Sequence, residues 1–235
     1  MKHGNITYST ESDVVLSANK TVNLTSGMSA AEIQALIDAQ PKNLGGYSLI
    51  FQFGDGTYTL TAQLNFQDFY SGNLLIYGNT AEANATALHT TQSVVLDFSS
   101  GGLHGINVDA CACYVFVRNF NIKIADNASK ACVHSRDSLS SDIRFSYFRG
   151  AGKTATCSGV YARFGTPYIE KNYVDNLYRG VTIETALAIS ANNDDTGTAP
   201  NYGLWSQNGA VLGKGGTQPA GTTSAEGITN GGTIN

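Results

Sequence analysis

The feature that most constrains this chain is a beat of roughly two dozen residues running through its second half. Six short runs, Gly105-Ile106-Asn107-Val108, Ala131-Cys132-Val133-His134, Gly159-Val160-Tyr161-Ala162, Gly180-Val181-Thr182-Ile183, Gly203-Leu204-Trp205-Ser206 and Gly227-Ile228-Thr229-Asn230, start 26, 28, 21, 23 and 24 residues apart. Each places a small or branched apolar residue second. A second series, Val115 to Phe120, Ile143 to Phe148, Ile169 to Val174 and Ile189 to Asp194, advances in step with the first. Between them lie turn-rich segments such as Ala125-Asp126-Asn127-Ala128 and Gly150-Ala151-Gly152-Lys153. A unit of this length cannot bury its apolar side alone, whereas stacked copies can. The expected fold is therefore all-β: a right-handed parallel β-helix with two strands per coil.

Alternation of side chains along a strand then sorts the residues. The second position of each run, Ile106, Cys132, Val160, Val181, Leu204 and Ile228, forms an inward ladder, with His134 expected to face inward beside Val108, Ala162 and Ile183 as a hydrogen-bonded core histidine. The third position, Asn107, Val133, Tyr161, Thr182, Trp205 and Thr229, faces outward. Asp109, Ser135, Arg163, Glu184 and Gln207 lie two residues further on the same side. With coils about 4.8 Å apart these residues make a dense vertical stripe. Tyr161, Arg163, Glu184 and the single Trp205 are its candidate binding residues, because aromatic faces stack on sugar rings and flanking charges hydrogen-bond to hydroxyls. The same residue types are enriched at subunit interfaces, so that reading stands beside the first.

The first hundred residues are less regular. Ser29-Ala30-Ala31-Glu32 is a capping box, and Ile33, Leu36 and Ile37 form one apolar stripe ended by Pro41. The pattern predicts a capping helix near 29–40, laid over the open end of a solenoid that spans 29–235. Residues 1–28, rich in Thr, Ser and Asn, read as a linker or an attachment strand. Strands are expected at Ser48 to Phe53, Thr57 to Phe66, Asn73 to Gly78 and Val94 to Phe98, with a tight turn at Gly54-Asp55-Gly56.

Composition removes several function classes. A net charge of −4 offers no field for nucleic-acid phosphates. The longest apolar runs fall far short of the roughly 20 residues that span a bilayer, so no membrane insertion is expected. Met1 to Asn5 runs into polar residues without the apolar core of a secretory signal, which leaves a chain that uses no signal or one numbered from inside a longer protein. Cys111, Cys113, Cys132 and Cys157 lack metal-ligand spacing and read as apolar fillers, a disulfide from Cys132 to a neighbouring coil being the alternative. No metal and no cofactor are expected. Glycoside hydrolysis needs two carboxyl groups about 5 Å or roughly 6.5–9.5 Å apart. Glu184 and Asp109 stand three coils apart, and Glu170 and Asp175 lie on opposite sides of a bend. No catalytic residues are assigned.

The run Ala30 to Ile37, then Pro41-Lys42-Asn43-Leu44-Gly45-Gly46-Tyr47 and Gly54-Asp55-Gly56-Thr57-Tyr58, resembles the capping helix and first coils of pectate-lyase-like β-helix proteins of phages and prophages. Tyr202-Gly203-Leu204-Trp205, Asn208-Gly209-Ala210-Val211, Gly216-Thr217-Gln218-Pro219 and Asn230-Gly231-Gly232-Thr233-Ile234 are similar to the last coils of phage tail fibre and minor tail proteins. The resemblance implies a homotrimeric tail fibre or tailspike component of the virion. It would bind host surface polysaccharide or lipopolysaccharide and assemble with other tail or baseplate proteins. A polysaccharide lyase or endoglycosidase on the same fold, and an extracellular or cell-surface adhesin, are the alternatives.

Overall fold

The computed structural model describes residues 14–84, 92–101, 103–195 and 198–235. The chain winds as a right-handed parallel β-helix, the hand that parallel crossovers take. Its strands fall into three all-parallel sheets of nine, seven and six strands. Each full coil visits the nine-stranded face, then the six-stranded, then the seven-stranded, and pairs with the coil before it on every face. A representative coil runs Ser140–Arg144, Tyr147–Gly150 and Ser158–Arg163.

There are thus three strands per coil rather than the expected two. The corner between the nine- and six-stranded faces is a single residue in the left-handed region: Asn119 at φ 67°, Phe145 at 52°, Lys171 at 54° and Asn192 at 51°. One such residue turns the chain without a Gly or Pro to announce it, so runs such as Val115 to Phe120 span the end of one strand and the corner after it. Asp68, Ala110, Asp137, Phe164, Thr185, Asn208 and Asn230 form the equivalent column where the seven-stranded face passes to the nine-stranded one. The run Thr57 to Phe66 likewise divides into Gly56–Thr59 and Leu64–Gln67 on different faces.

Inside the corners runs a polar ladder. Asn193 Oδ1 accepts from the Asn172 backbone N–H at 2.9 Å, Asn172 Oδ1 accepts from Ser146 N–H at 3.1 Å, and Ser146 Oγ accepts from Phe120 N–H at 3.3 Å. The amides also donate to carbonyls one coil back, Asn193 to Ile169 and Asn172 to Ile143, both at 2.8 Å. Ser146, Asn172 and Asn193 are buried, so each rung supplies hydrogen bonds the backbone lacks where it bends.

The remaining interior is apolar. On the nine-stranded face Phe51, Ile76, Val117, Ile143 and Ile169 stack in register with essentially no exposure. Toward the N-terminal end the core is aromatic, with Phe53 edge-on to Tyr58 and Phe120 at 5.4 and 5.2 Å. Toward the other end it is aliphatic, with Ala186, Ala188, Ala210 and Ser206 packed among Val181, Ile183, Leu204 and Leu212. Cys111, Cys113, Cys132 and Cys157 are buried and free, so the Cys132 disulfide is not formed.

The helix Ala30–Asp38 has the expected capping box and buries Ala30, Ile33 and Ile37. Strand Lys20–Leu24 pairs parallel with Ser48–Phe53 at the edge of the nine-stranded face. Residues 1–13 of the segment read as a linker or attachment strand lie outside the described residues.

Candidate functional site

The outward stripe of the seven-stranded face is built by four successive strands, Ala131–Arg136, Ser158–Arg163, Arg179–Glu184 and Tyr202–Gln207. The pairing corrects two of the six runs, the Ala131 run by one residue and the Gly227 run by two. Val133, not Cys132, stands between Ile106 and Val160, and Glu226, not Ile228, pairs with Leu204. His134 therefore points outward, between Asn107 and Tyr161, with Val133 and Ser135 facing in. Cys132 occupies the position that Gly159 holds one coil on, buried at the corner. The outer columns read Asn65, Asn107, His134, Tyr161, Thr182, Trp205, Gly227 and Gln67, Asp109, Arg136, Arg163, Glu184, Gln207, Thr229. Alternation in Val133-His134-Ser135-Arg136 was the signal for this register.

Tyr161, Arg163, Glu184 and Trp205 meet on this face. The Tyr161 hydroxyl donates to Glu184 Oε2. The same carboxylate accepts from Gln207 Nε2 at 3.1 Å and Asn208 Nδ2 at 2.9 Å and pairs with Arg163 Nε at 3.7 Å. Trp205 joins through Nε1, which donates to Gln207 Oε1 at 2.9 Å. A carboxylate engaged by three hydrogen-bond donors and a guanidinium is a strut that holds aromatic rings in place; it has little capacity left to shuttle protons. Asp109 is likewise tied up by Arg136. Glu170 pairs with Arg144 on the nine-stranded face at 3.0 Å, and Asp175 accepts from Tyr147 on the six-stranded face at 2.8 Å.

Beside these residues stand aromatic and basic neighbours that the sequence reading missed. The Arg179 guanidinium lies 4.0 Å from the centre of the Trp205 ring, whose edge meets Tyr202 at 4.8 Å; Tyr202 in turn contacts Tyr178 at 5.6 Å. A Cβ on Gly227 would come within 2.2 Å of the indole, so glycine is what lets Trp205 lie down over the next coil. Arg179, Tyr178 and Tyr202 sit at or before the start of their strands, outside the four-residue runs that define the repeat, and nothing in the period singles them out.

At the other end of the column His104 and His134 stack nearly parallel, 4.2 Å apart. Asn107 donates through Nδ2 to Asn65 Oδ1 at 3.0 Å, which turns its own Oδ1 toward His134 Nδ1 at 2.8 Å and places the proton on that nitrogen. His104 Nδ1 accepts from the Ala131 N–H at 3.1 Å and is the other tautomer. Burial holds both well below the ordinary histidine range, His104 at about 3 with help from His134, Lys130 and Arg136, and His134 at about 4, where Arg136, Lys130 and Arg163 depress it and Asp109 opposes them. Both rings are neutral near pH 7.

Among the described residues no group of three His, Cys, Asp or Glu is placed to hold a metal ion, and no helix is long and apolar enough to cross a membrane. Comparison with known proteins finds no matching family model, no matching curated protein and no matching solved structure.

Proposed function

We propose that this is a phage tail fibre or tailspike-like virion component that binds host surface glycan, polysaccharide or lipopolysaccharide, along the seven-stranded face. The observation that carries the reading is the pair of half-buried rings of Tyr161 and Trp205 in one column, with Thr182 buried between them, flanked by Arg163, Glu184 and Arg179 and braced by hydrogen bonds between coils. Rigid aromatic planes with fixed polar groups beside them suit stacking on sugar rings at low entropic cost. The engaged carboxylates favour binding over hydrolysis or elimination. A homotrimer accords with a second surface: Tyr114, Leu187, Ile189 and Val211 are exposed on the nine-stranded face, which would cover that face against neighbouring subunits and leave the seven-stranded one free.

The test is calorimetric titration of the protein with a panel of purified bacterial surface polysaccharides. At least one should bind, Tyr161→Ala with Trp205→Ala should remove that binding, and the assembly mass should not change. Dissociation of the assembly by the double substitution would place these rings at a subunit contact and end the glycan assignment. Shortened or unsaturated oligosaccharides after incubation would make the protein an enzyme.

A further inference from the structure

We infer that Arg179 is the anchor for a carboxylate on the bound glycan, so that the seven-stranded face selects a chain containing uronate sugars. This rests on the glycan-binding reading and goes on to name the class of glycan.

The six arginines of the chain are not alike. Arg118, Arg136, Arg144 and Arg163 each pair with an aspartate or glutamate. Arg149 donates to Asn121 at 2.9 Å. Arg179 differs in that, among the described residues, its side chain makes no ion pair and no hydrogen bond at all; its Nε, like those of Arg118 and Arg163, is buried without an acceptor. Burial outweighs its neighbours and lowers its pKa from the usual arginine value, yet the group stays charged. A desolvated cation with an unmatched donor is a costly thing to keep, and removing the charge would cost the fold no visible polar contact.

The surroundings fix the guanidinium and leave its anion requirement unmet. Trp205 packs against it at 4.0 Å and Tyr178 at 5.6 Å, so the aromatic contacts orient the group but supply no acceptor in its plane. Pro219 of the following loop comes up against the strand starts beside it: a Cβ on Gly203 would meet the Pro219 carbonyl at 1.8 Å, and one on Gly180 the Pro219 ring at 3.4 Å. The result is a half-buried fork beside the same indole that the proposed glycan site uses. Its geometry matches a planar carboxylate, which takes two parallel N–H donors. No aspartate or glutamate among the described residues lies within 4.0 Å to fill that role, so the ligand must bring it.

Trp205 is the only tryptophan and reports directly on this position. Its emission should change saturably with methyl β-D-glucuronide, while methyl β-D-glucoside and the corresponding uronamide bind at least about tenfold more weakly. Arg179→Gln should weaken glucuronide binding far more than glucoside binding and so abolish that preference, and Arg179→Lys, which keeps the charge without the planar fork, should restore only part of it. The comparison of ligands on the unaltered protein needs no variant to fold. Equal affinity for glucuronide and glucoside, or an unchanged preference in Arg179→Gln, overturns the uronate assignment and leaves glycan binding standing. Inorganic phosphate binding as tightly as the glucuronide overturns it in favour of a general anion site. No response to any saccharide, by emission or calorimetry, overturns both readings.

Discussion

Ser146, Asn172 and Asn193, buried at the corners, are each held by specific partners, and that makes single residues informative. Asn193 serves two coils at once, accepting from the Asn172 N–H and donating to the Ile169 carbonyl. Asn193→Ala leaves both backbone groups buried and unmatched, and should lower the unfolding free energy by about 2–3 kcal/mol, read as a fall in the urea midpoint with an unchanged slope. The His104–His134 stack gives a pH signature. An unfolded histidine takes up its proton near pH 6.5, whereas the folded rings resist until about 4 and about 3. The unfolded state therefore binds more protons as pH falls through that window. Stability from this pair is intact above pH 6.5 and is lost progressively toward pH 4, by on the order of 3 kcal/mol once partial exposure is discounted. His134→Gln, which retains a donor for Asn107, should flatten the urea-midpoint profile between pH 6.5 and 4; an identical slope would contradict the assigned neutral pair. The outward setting of His134 was readable in the alternation around it. It is obscured because Cys132 stands where the neighbouring coils carry Gly105 and Gly159, so Ala131 reads as the opening residue in its place.

Among elements, the helix Ala30–Asp38 does more than cover apolar surface. Strand Leu64–Gln67 is the edge of the seven-stranded face, and Gln34 pairs with it as a strand would: its Oε1 accepts from the Asn65 N–H at 2.8 Å and its Nε2 donates to the Asn65 carbonyl at 3.0 Å. A side-chain amide thus satisfies the edge while ending the ladder, because it offers nothing to a further strand. Gln34→Ala should leave the helix in place through Ile33 and Ile37 yet expose the Asn65 groups. The expected outcome is a loss of about 1 kcal/mol in denaturant titration with faster growth of light scattering at high concentration. The helix itself was legible, since capping box and apolar stripe agree. The third strand of each coil was not. Corners made by one left-handed residue such as Phe145 or Lys171 carry no compositional mark, because tertiary pairing on both sides imposes a backbone state those residues do not choose alone.

At the scale of the whole molecule, three faces of one solenoid carry three different surfaces. The seven-stranded face is aromatic and charged, the six-stranded face presents Tyr147, whose hydroxyl donates to Asp175, with Tyr173 and Arg149 beside it, and the nine-stranded face exposes Leu187 and Ile189. If the last is the subunit contact, Leu187→Asp with Ile189→Asp should reduce the solution mass from three chains to the single 24.8 kDa chain while far-ultraviolet circular dichroism stays that of a β protein. The repeat period carries the stacking and, with side-chain alternation, the stripe through Tyr161 and Trp205. What the period could not supply was Arg179, whose importance lies in contacts it lacks. The most direct measurement is a crystal structure of the protein with an oligosaccharide from its best-binding polysaccharide. The account predicts sugar density along the seven-stranded face, with one ring against Trp205 and a carboxylate on Arg179; density on either other face, with that stripe empty, would contradict it.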